Sequence, residues 1–175
     1  MLFNKDNSIK KADPRKIISI LDRNGNHGKS SFFKYLLIEN SDDVGRVGYV
    51  SAGQLRSRAM NMGPKKIYII DLARTKSKGD SGLDILSTIE DLKSGLVIST
   101  FYGRANSLIM DPPTIIISSN YEFDYESLSK DRWLVYEIRS RKPHGLKQIK
   151  NIYRNKKIKT IKKELGSSQI KSEMM

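Results

Sequence analysis

Five short apolar runs punctuate the chain, at residues 16–21, 46–51, 66–71, 114–119 and 134–138. Each is too short for a helix and shows little polar alternation, the pattern of strands buried on both faces. Between them the apolar positions change period. Residues 32, 33, 36 and 37 predict a helix over 30–39, and a short helix is expected over 55–62. Leu83, Leu86, Ile89 and Leu92 predict a third over 83–93, closed by Ser94-Gly95. Residues 96–102 and 106–110 flank Gly103-Arg104-Ala105 and predict a β-hairpin. Strands alternating with helices give an α/β fold with a mostly parallel central sheet covered on both faces. Residues 1–13 are polar and read as a flexible lead-in, 14–140 as the folded domain, and 141–175 as a tail. In the tail, apolar positions 146, 149, 152, 153, 158, 161 and 165 predict a helix at about 146–165.

Charge changes this picture at one end. The chain carries a net +13, but residues 139–175 hold 12 Lys/Arg against 2 Asp/Glu, whereas residues 1–138 hold 20 against 17. A nearly balanced domain followed by a polycation points to a polyanion partner, most simply nucleic acid. A solubilising tail without a partner is the alternative. With no cysteine, disulfides, zinc fingers and thiol catalysis are excluded. His27 and His144 lie far apart, have no metal-ligand cluster around them, and are expected to be solvated loop residues. No apolar run reaches the roughly 18 residues of a membrane span, and charges interrupt the first 11 residues too often for a signal peptide. No membrane partner is expected.

The chemistry concentrates at residues 17–37, IISILDRNGNHGKSSFFKYLL. A strand, a Gly-rich loop and a helix in that order form the layout of a nucleotide phosphate-binding loop. Gly25 and Gly28 free the backbone to aim N–H groups at phosphate oxygens, Lys29 supplies charge for the β- and γ-phosphates, and the Ser30 hydroxyl holds Mg²⁺. Arg23 stands where such loops usually have their first glycine. Ligands of parallel sheets bind at the carboxyl ends of strands, where Asp71 and Asn120 also fall. Asp71 fits the carboxylate that holds Mg²⁺ opposite Ser30. Asn120 is placed to orient an attacking water or sense the γ-phosphate, or else to cap the turn it begins. Arg132 suits an arginine finger offered by a neighbouring subunit, or a surface pair with Asp131. Arg104 at the hairpin tip could touch a nucleic-acid backbone. Residue 72 is Leu, where many ATPases have a second acid, which leaves Glu90 as the candidate general base.

Together these segments resemble the superfamily 3 helicase domain of Rep proteins from circular single-stranded DNA viruses, especially the nanovirus and alphasatellite branch. The resemblance runs from about Asp13 to Ile138. ILDRNGNHGKSSFFKYL is similar to that family's Walker A segment, in which Asp can replace the first glycine. IYIIDLART resembles its Walker B segment, carrying over Asp71 and Arg74. IEDLKSG, with Glu90 and Lys93, is similar to a downstream segment. STFYGRANSLIMDPPTIIISSNYEFD resembles the family's DNA-facing hairpin followed by motif C, and LSKDRW its arginine-finger segment.

The resemblance implies a three-layer P-loop NTPase fold of AAA+ type over residues 14–140. It implies ATP binding by Asp22, Gly25, Asn26, Gly28, Lys29, Ser30 and Ser31, with Mg²⁺ on Ser30 and Asp71. Catalysis would fall to Lys29, Asp71, Asn120, Arg132 and Glu90. Single-stranded DNA would be gripped by Arg104 and by tail residues such as Lys156, Lys157 and Lys159. Self-assembly into a ring, expected to be a hexamer, and 3′-to-5′ movement are further implications. Rep proteins begin with a nicking domain that has a His-hydrophobe-His metal motif and a Tyr nucleophile. No such motif precedes Asp13, and Tyr68 and Tyr102 fall inside the helicase-like segments. The expected function is an ATP-dependent DNA helicase. Its rival is a Rep-derived module that binds DNA through the tail and pairs with a full-length Rep. Residues 154–163, RNKKIKTIKK, would suit the host nucleus for a virus of eukaryotes; otherwise the expected compartment is the cytoplasm.

Overall fold

The computed structural model describes residues 2–48, 51–72, 82–99, 106–122, 125–139 and 146–148. Strand β1 (Ile17–Leu21) leads into helix α1 (Lys29–Glu39), β2 (Val44–Gly48) into α2 (Ala52–Met62), and β3 (Ile67–Asp71) precedes α3 (Gly82–Ser94). Then come β4 (Leu96–Ser99), β5 (Asn106–Ile109), β6 (Thr114–Ser119), β7 (Trp133–Ile138) and β8 (Leu146–Gln148). Six strands form one sheet in the order β2-β3-β6-β1-β7-β8, and β4 and β5 pair as a separate antiparallel hairpin. The first five strands of the large sheet run parallel, so all their carboxyl ends meet at one edge.

Residue parity explains the three layers. Ile17, Tyr68, Ile70, Ile115, Ile117, Trp133 and Val135 face α2, α3 and β4 through Leu55, Ala59, Leu86, Ile89, Leu92 and Val97. Their neighbours Ile18, Ile20, Ile67, Ile69 and Ile116 face the other way, against Phe33 and Leu36 of α1. Both faces are therefore apolar, as expected of parallel strands roofed by helices. Residues 2–10 extend the second layer. Phe3 bridges Ile9 across a tight turn, and Leu2, Phe3 and Ile9 pack on the α1 face.

Gly95 shows how the hairpin is anchored. It follows the last turn of α3 at φ 81°, and a Cβ there would lie 2.2 Å from the Met110 carbonyl oxygen. Met110 in turn donates its N–H to the Gly95 carbonyl at 2.9 Å. A residue with a side chain meets both a left-handed backbone and a carbonyl collision here.

Two expectations are overturned, the first being the flexible lead-in, since Leu2, Phe3 and Ile9 pack on the α1 face. The helix expected at about 146–165 does not begin as one, because residues 146–148 are β8, antiparallel to β7 with Tyr136 opposite Gln148. A free antiparallel edge on β7 offers backbone partners that a helical start would leave unused. The remainder of that segment, including Lys156, Lys157 and Lys159, lies outside the described residues, as do Arg74 and the hairpin tip with Arg104.

Candidate functional site

The carboxyl edge gathers polar groups from four strands. Asp22 follows β1, Asp71 ends β3, Asn120 follows β6, and Arg46, in the middle of β2, reaches the edge through its guanidinium. By parity with Ile20, Ile69, Ile116 and Val44, all four fall on the face that carries α1. Register aligns them, since Leu21 pairs with Ser119 and Asp71 with Ser118.

The loop between β1 and α1 turns through left-handed conformations at Gly25 (φ 69°), Asn26 (φ 60°) and Gly28 (φ 85°). Turns that mix left- and right-handed residues curl backbone N–H groups into a concave, anion-attracting arc. Gly28 caps α1 without a side-chain hydrogen bond, and no acid sits in its first turn. By contrast, the amino end of α2 is closed by a capping box between Ser51 and Gln54. The amino end of α1 thus keeps its positive dipole end uncompensated, with Ser30 and Ser31 exposed beside it.

Lys29, the first residue of α1, folds back onto the edge. Its Nζ donates to Asp22 Oδ2 at 2.9 Å and to Asn120 Oδ1 at 2.7 Å. Asp22 is fully buried, and its other oxygen pairs with His27 Nδ1 at 2.7 Å. Burial opposes ionisation of Asp22, but the hydrogen bonds from His27 and Lys29 and the Lys29 charge outweigh it, holding the carboxyl below its ordinary value. A buried carboxylate kept ionised by two donors makes a fixed seat for a movable cation. Asn120 is thus a partner of Lys29.

Two residues behave differently from expectation. His27, expected in solvent, is largely buried with a side-chain exposure of 15% and braces Asp22. Arg23 replaces the first glycine without harm to the loop because its guanidinium points outward, contacting Glu122 and donating to Glu137 Oε1 at 2.8 Å. It ties the loop to β7 and to the segment after β6.

Arg132 and Glu90 lie elsewhere. Arg132 directly precedes β7 and pairs through Nη1 with Glu90 Oε1 of α3 at 3.2 Å, while Asp131 pairs with Arg15 at 2.8 Å. The surface pair expected between Arg132 and Asp131 is therefore replaced by two pairs with other partners. Both sit at the amino edge, a strand length of roughly 17 Å from the loop at about 3.3 Å per residue. Within one chain, Glu90 is not brought to Lys29 or Asp71. The same edge holds Lys93, 1% exposed, whose Nζ donates to the Pro113 carbonyl at 2.7 Å.

For a cation, the carboxyl edge offers Asp71, Ser30 and the buried Ser118 Oγ. The last has no hydrogen-bond partner among the described residues and lies beside Asp71 in register. Among the described residues no group of three or more His, Cys, Asp or Glu forms a metal cage. One carboxylate with hydroxyls suits a hard ion that completes its shell with water and phosphate oxygens, as Mg²⁺ does. A basic, uncapped loop with an adjacent carboxylate and a relocatable lysine is chemically equipped to hold a polyphosphate. A scan against protein-family models and a search of curated proteins find no match for this chain.

Proposed function

We propose that this chain is the ATP-hydrolysing motor of a Rep-type replication initiator, coupling hydrolysis to unwinding of DNA, with a P-loop NTPase fold of AAA+ type. The observation that carries the proposal is the placement of Lys29 between Asp22 and Asn120. Two segments distant in sequence, the loop that carries Asp22 and Lys29 and the end of β6 with Asn120, each resembling a helicase motif, meet at one amine. The strand order supports it too, since β6 stands between β1 and β3 and brings Asn120 between the loop and Asp71.

In this mechanism the loop N–H groups and the amino end of α1 bind the phosphates of ATP. Lys29 leaves Asp22 and Asn120 for the β- and γ-phosphate oxygens, and Asp22 keeps its charge through His27. Asn120, released from Lys29, orients the attacking water. Asp71 and Ser30 would hold Mg²⁺, which supplies neutralisation of the phosphate charge as the bond breaks. Arg132, at the opposite edge of its own chain, acts on the site of a neighbouring copy in a ring. The basic segment beyond residue 138 and the β4–β5 hairpin hold single-stranded DNA.

The test is ATP hydrolysis with and without single-stranded DNA, run beside size-exclusion chromatography with light scattering. DNA-stimulated turnover that disappears in Lys29→Ala is expected. A chain that binds DNA equally well with Lys29→Ala and shows no turnover would instead be a DNA-binding module that assists or interferes with an intact Rep.

A further inference from the structure

Asp71 is the proposed cation carboxylate, yet a cation of the chain already occupies it. Arg46 Nη2 lies 2.5 Å from Asp71 Oδ2. Register places Gly48 of β2 opposite Asp71 and Arg46 two residues earlier, so the guanidinium reaches along the strand to the carboxylate from the same face. Gly48 has no side chain to compete, and among the described residues a Cβ there would have nothing within 4 Å. Side-chain exposures of 39% for Arg46 and 21% for Asp71 make the pair half-wet, so its rupture is cheap.

On the reading of Asp71 given above, we propose that Arg46 is the resting counter-ion of Asp71 and competes with the divalent cation for it. The guanidinium nitrogen donates to Oδ2, an oxygen that a metal or its hydration shell needs, and two cations cannot share it at close range. Within the chain the charges are then balanced pair by pair, Lys29 with Asp22 and Arg46 with Asp71. Loading exchanges both partners together, because the nucleotide draws Lys29 off one carboxylate while its cation displaces Arg46 from the other. The chain thereby raises the cation concentration at which the site fills, without touching the phosphate loop.

The experiment is a Mn²⁺ titration of the full chain with saturating ADP, following free Mn²⁺ by electron paramagnetic resonance. Wild type, Arg46→Ala, Arg46→Gln and Asp71→Asn are compared, each checked for fold by circular dichroism. Removing the guanidinium is expected to lower the half-saturating Mn²⁺ by about three- to tenfold, the worth of a half-exposed charge-assisted pair. Asp71→Asn should raise it above wild type. Arg46 variants that bind Mn²⁺ no more tightly than wild type, while Asp71→Asn weakens it, overturn the competition and leave the metal assignment standing. Mn²⁺ binding unchanged in Asp71→Asn removes the metal assignment and the competition with it. The glutamine variant keeps a polar stem, so the test survives if alanine perturbs the edge strand.

Discussion

Two lysines, one at each edge of the sheet, are withdrawn from solvent in different ways. Lys29 has a side-chain exposure of 12% and donates to the buried carboxylate of Asp22 and the amide of Asn120. Lys93 is 1% exposed and donates to the backbone carbonyl of Pro113. Burial pushes the Lys93 amine down to about 8; the Asp13 charge opposes this, and the Arg132 charge adds to it. Around Lys29 the partners are a carboxylate and an amide side chain, both replaceable and next to an uncapped helix end. Around Lys93 the partner is backbone, holding the end of α3 to the entry of β6. A buried lysine seated on a carboxylate can be traded to an incoming anion, whereas one seated on a carbonyl acts as a stitch.

The largest effect that would break this contrast is on turnover. Lys29→Ala should lower ATP hydrolysis by at least about 10³-fold with binding of single-stranded DNA retained, measured by coupled ATPase assay and fluorescence anisotropy. Activity near wild type would make Lys29 another stitch. Arg132→Ala should cost about 10³-fold, the low end for an arginine finger, and a mixture with Lys29→Ala chains should regain activity, because each variant supplies the half of an interface that the other lacks. No recovery on mixing would confine Arg132 to its pair with Glu90.

Effects on stability follow. Gly95→Ala should lower unfolding stability by about 2–4 kcal/mol in urea titration, from the left-handed backbone and the Met110 collision together. Lys93 supplies a pH signature of fixed sign. With a folded-state value of about 8 against an ordinary 10.5, the unfolded chain holds more protons between those limits. Stability contributed by this residue therefore rises as pH climbs from 8 toward 10.5. Lys93→Met should lack that rise when urea midpoints at pH 7.5 and 10 are compared, and a wild-type difference that survives in the variant would contradict the burial argument. Smallest of all, Arg15→Ala removes an exposed pair with Asp131 and should change stability by no more than about 0.5 kcal/mol.

The apolar runs made most of the fold legible. Five strands and three helices fall where short apolar segments and 3.6-residue spacing put them, and Ser94-Gly95 ends α3 as its composition suggests. Pattern alone could not reveal β8, because its residues are recruited by the free edge of β7 rather than by their own periodicity. At the site, Asp22, Lys29 and Asn120 were visible as motif residues, but their mutual contact was not. His27 reads from sequence as a solvated loop residue, and Arg46 and Ser118 escape notice there, for a common reason. A histidine in a loop, an arginine in a strand and a serine beside another serine acquire meaning only when strand register sets them against a carboxylate or seals them from water. Glu90 shows the converse. Sequence makes it the candidate general base because residue 72 is Leu, while the antiparallel return of α3 carries it to the far edge and to Arg132.

The position of β6 between β1 and β3 has one more consequence. Two inter-strand spacings of about 4.8 Å each set the distance between the strand that launches the phosphate loop and the strand that ends in Asp71. That span is a ruler made of backbone hydrogen bonds, and no side-chain substitution can lengthen or shorten it. Sequence drift at Arg46, Ser118 or Asn120 can retune which charges sit along the ruler and how tightly each is held. The gauge itself belongs to the topology, so its loss would require a strand to be lost or reordered.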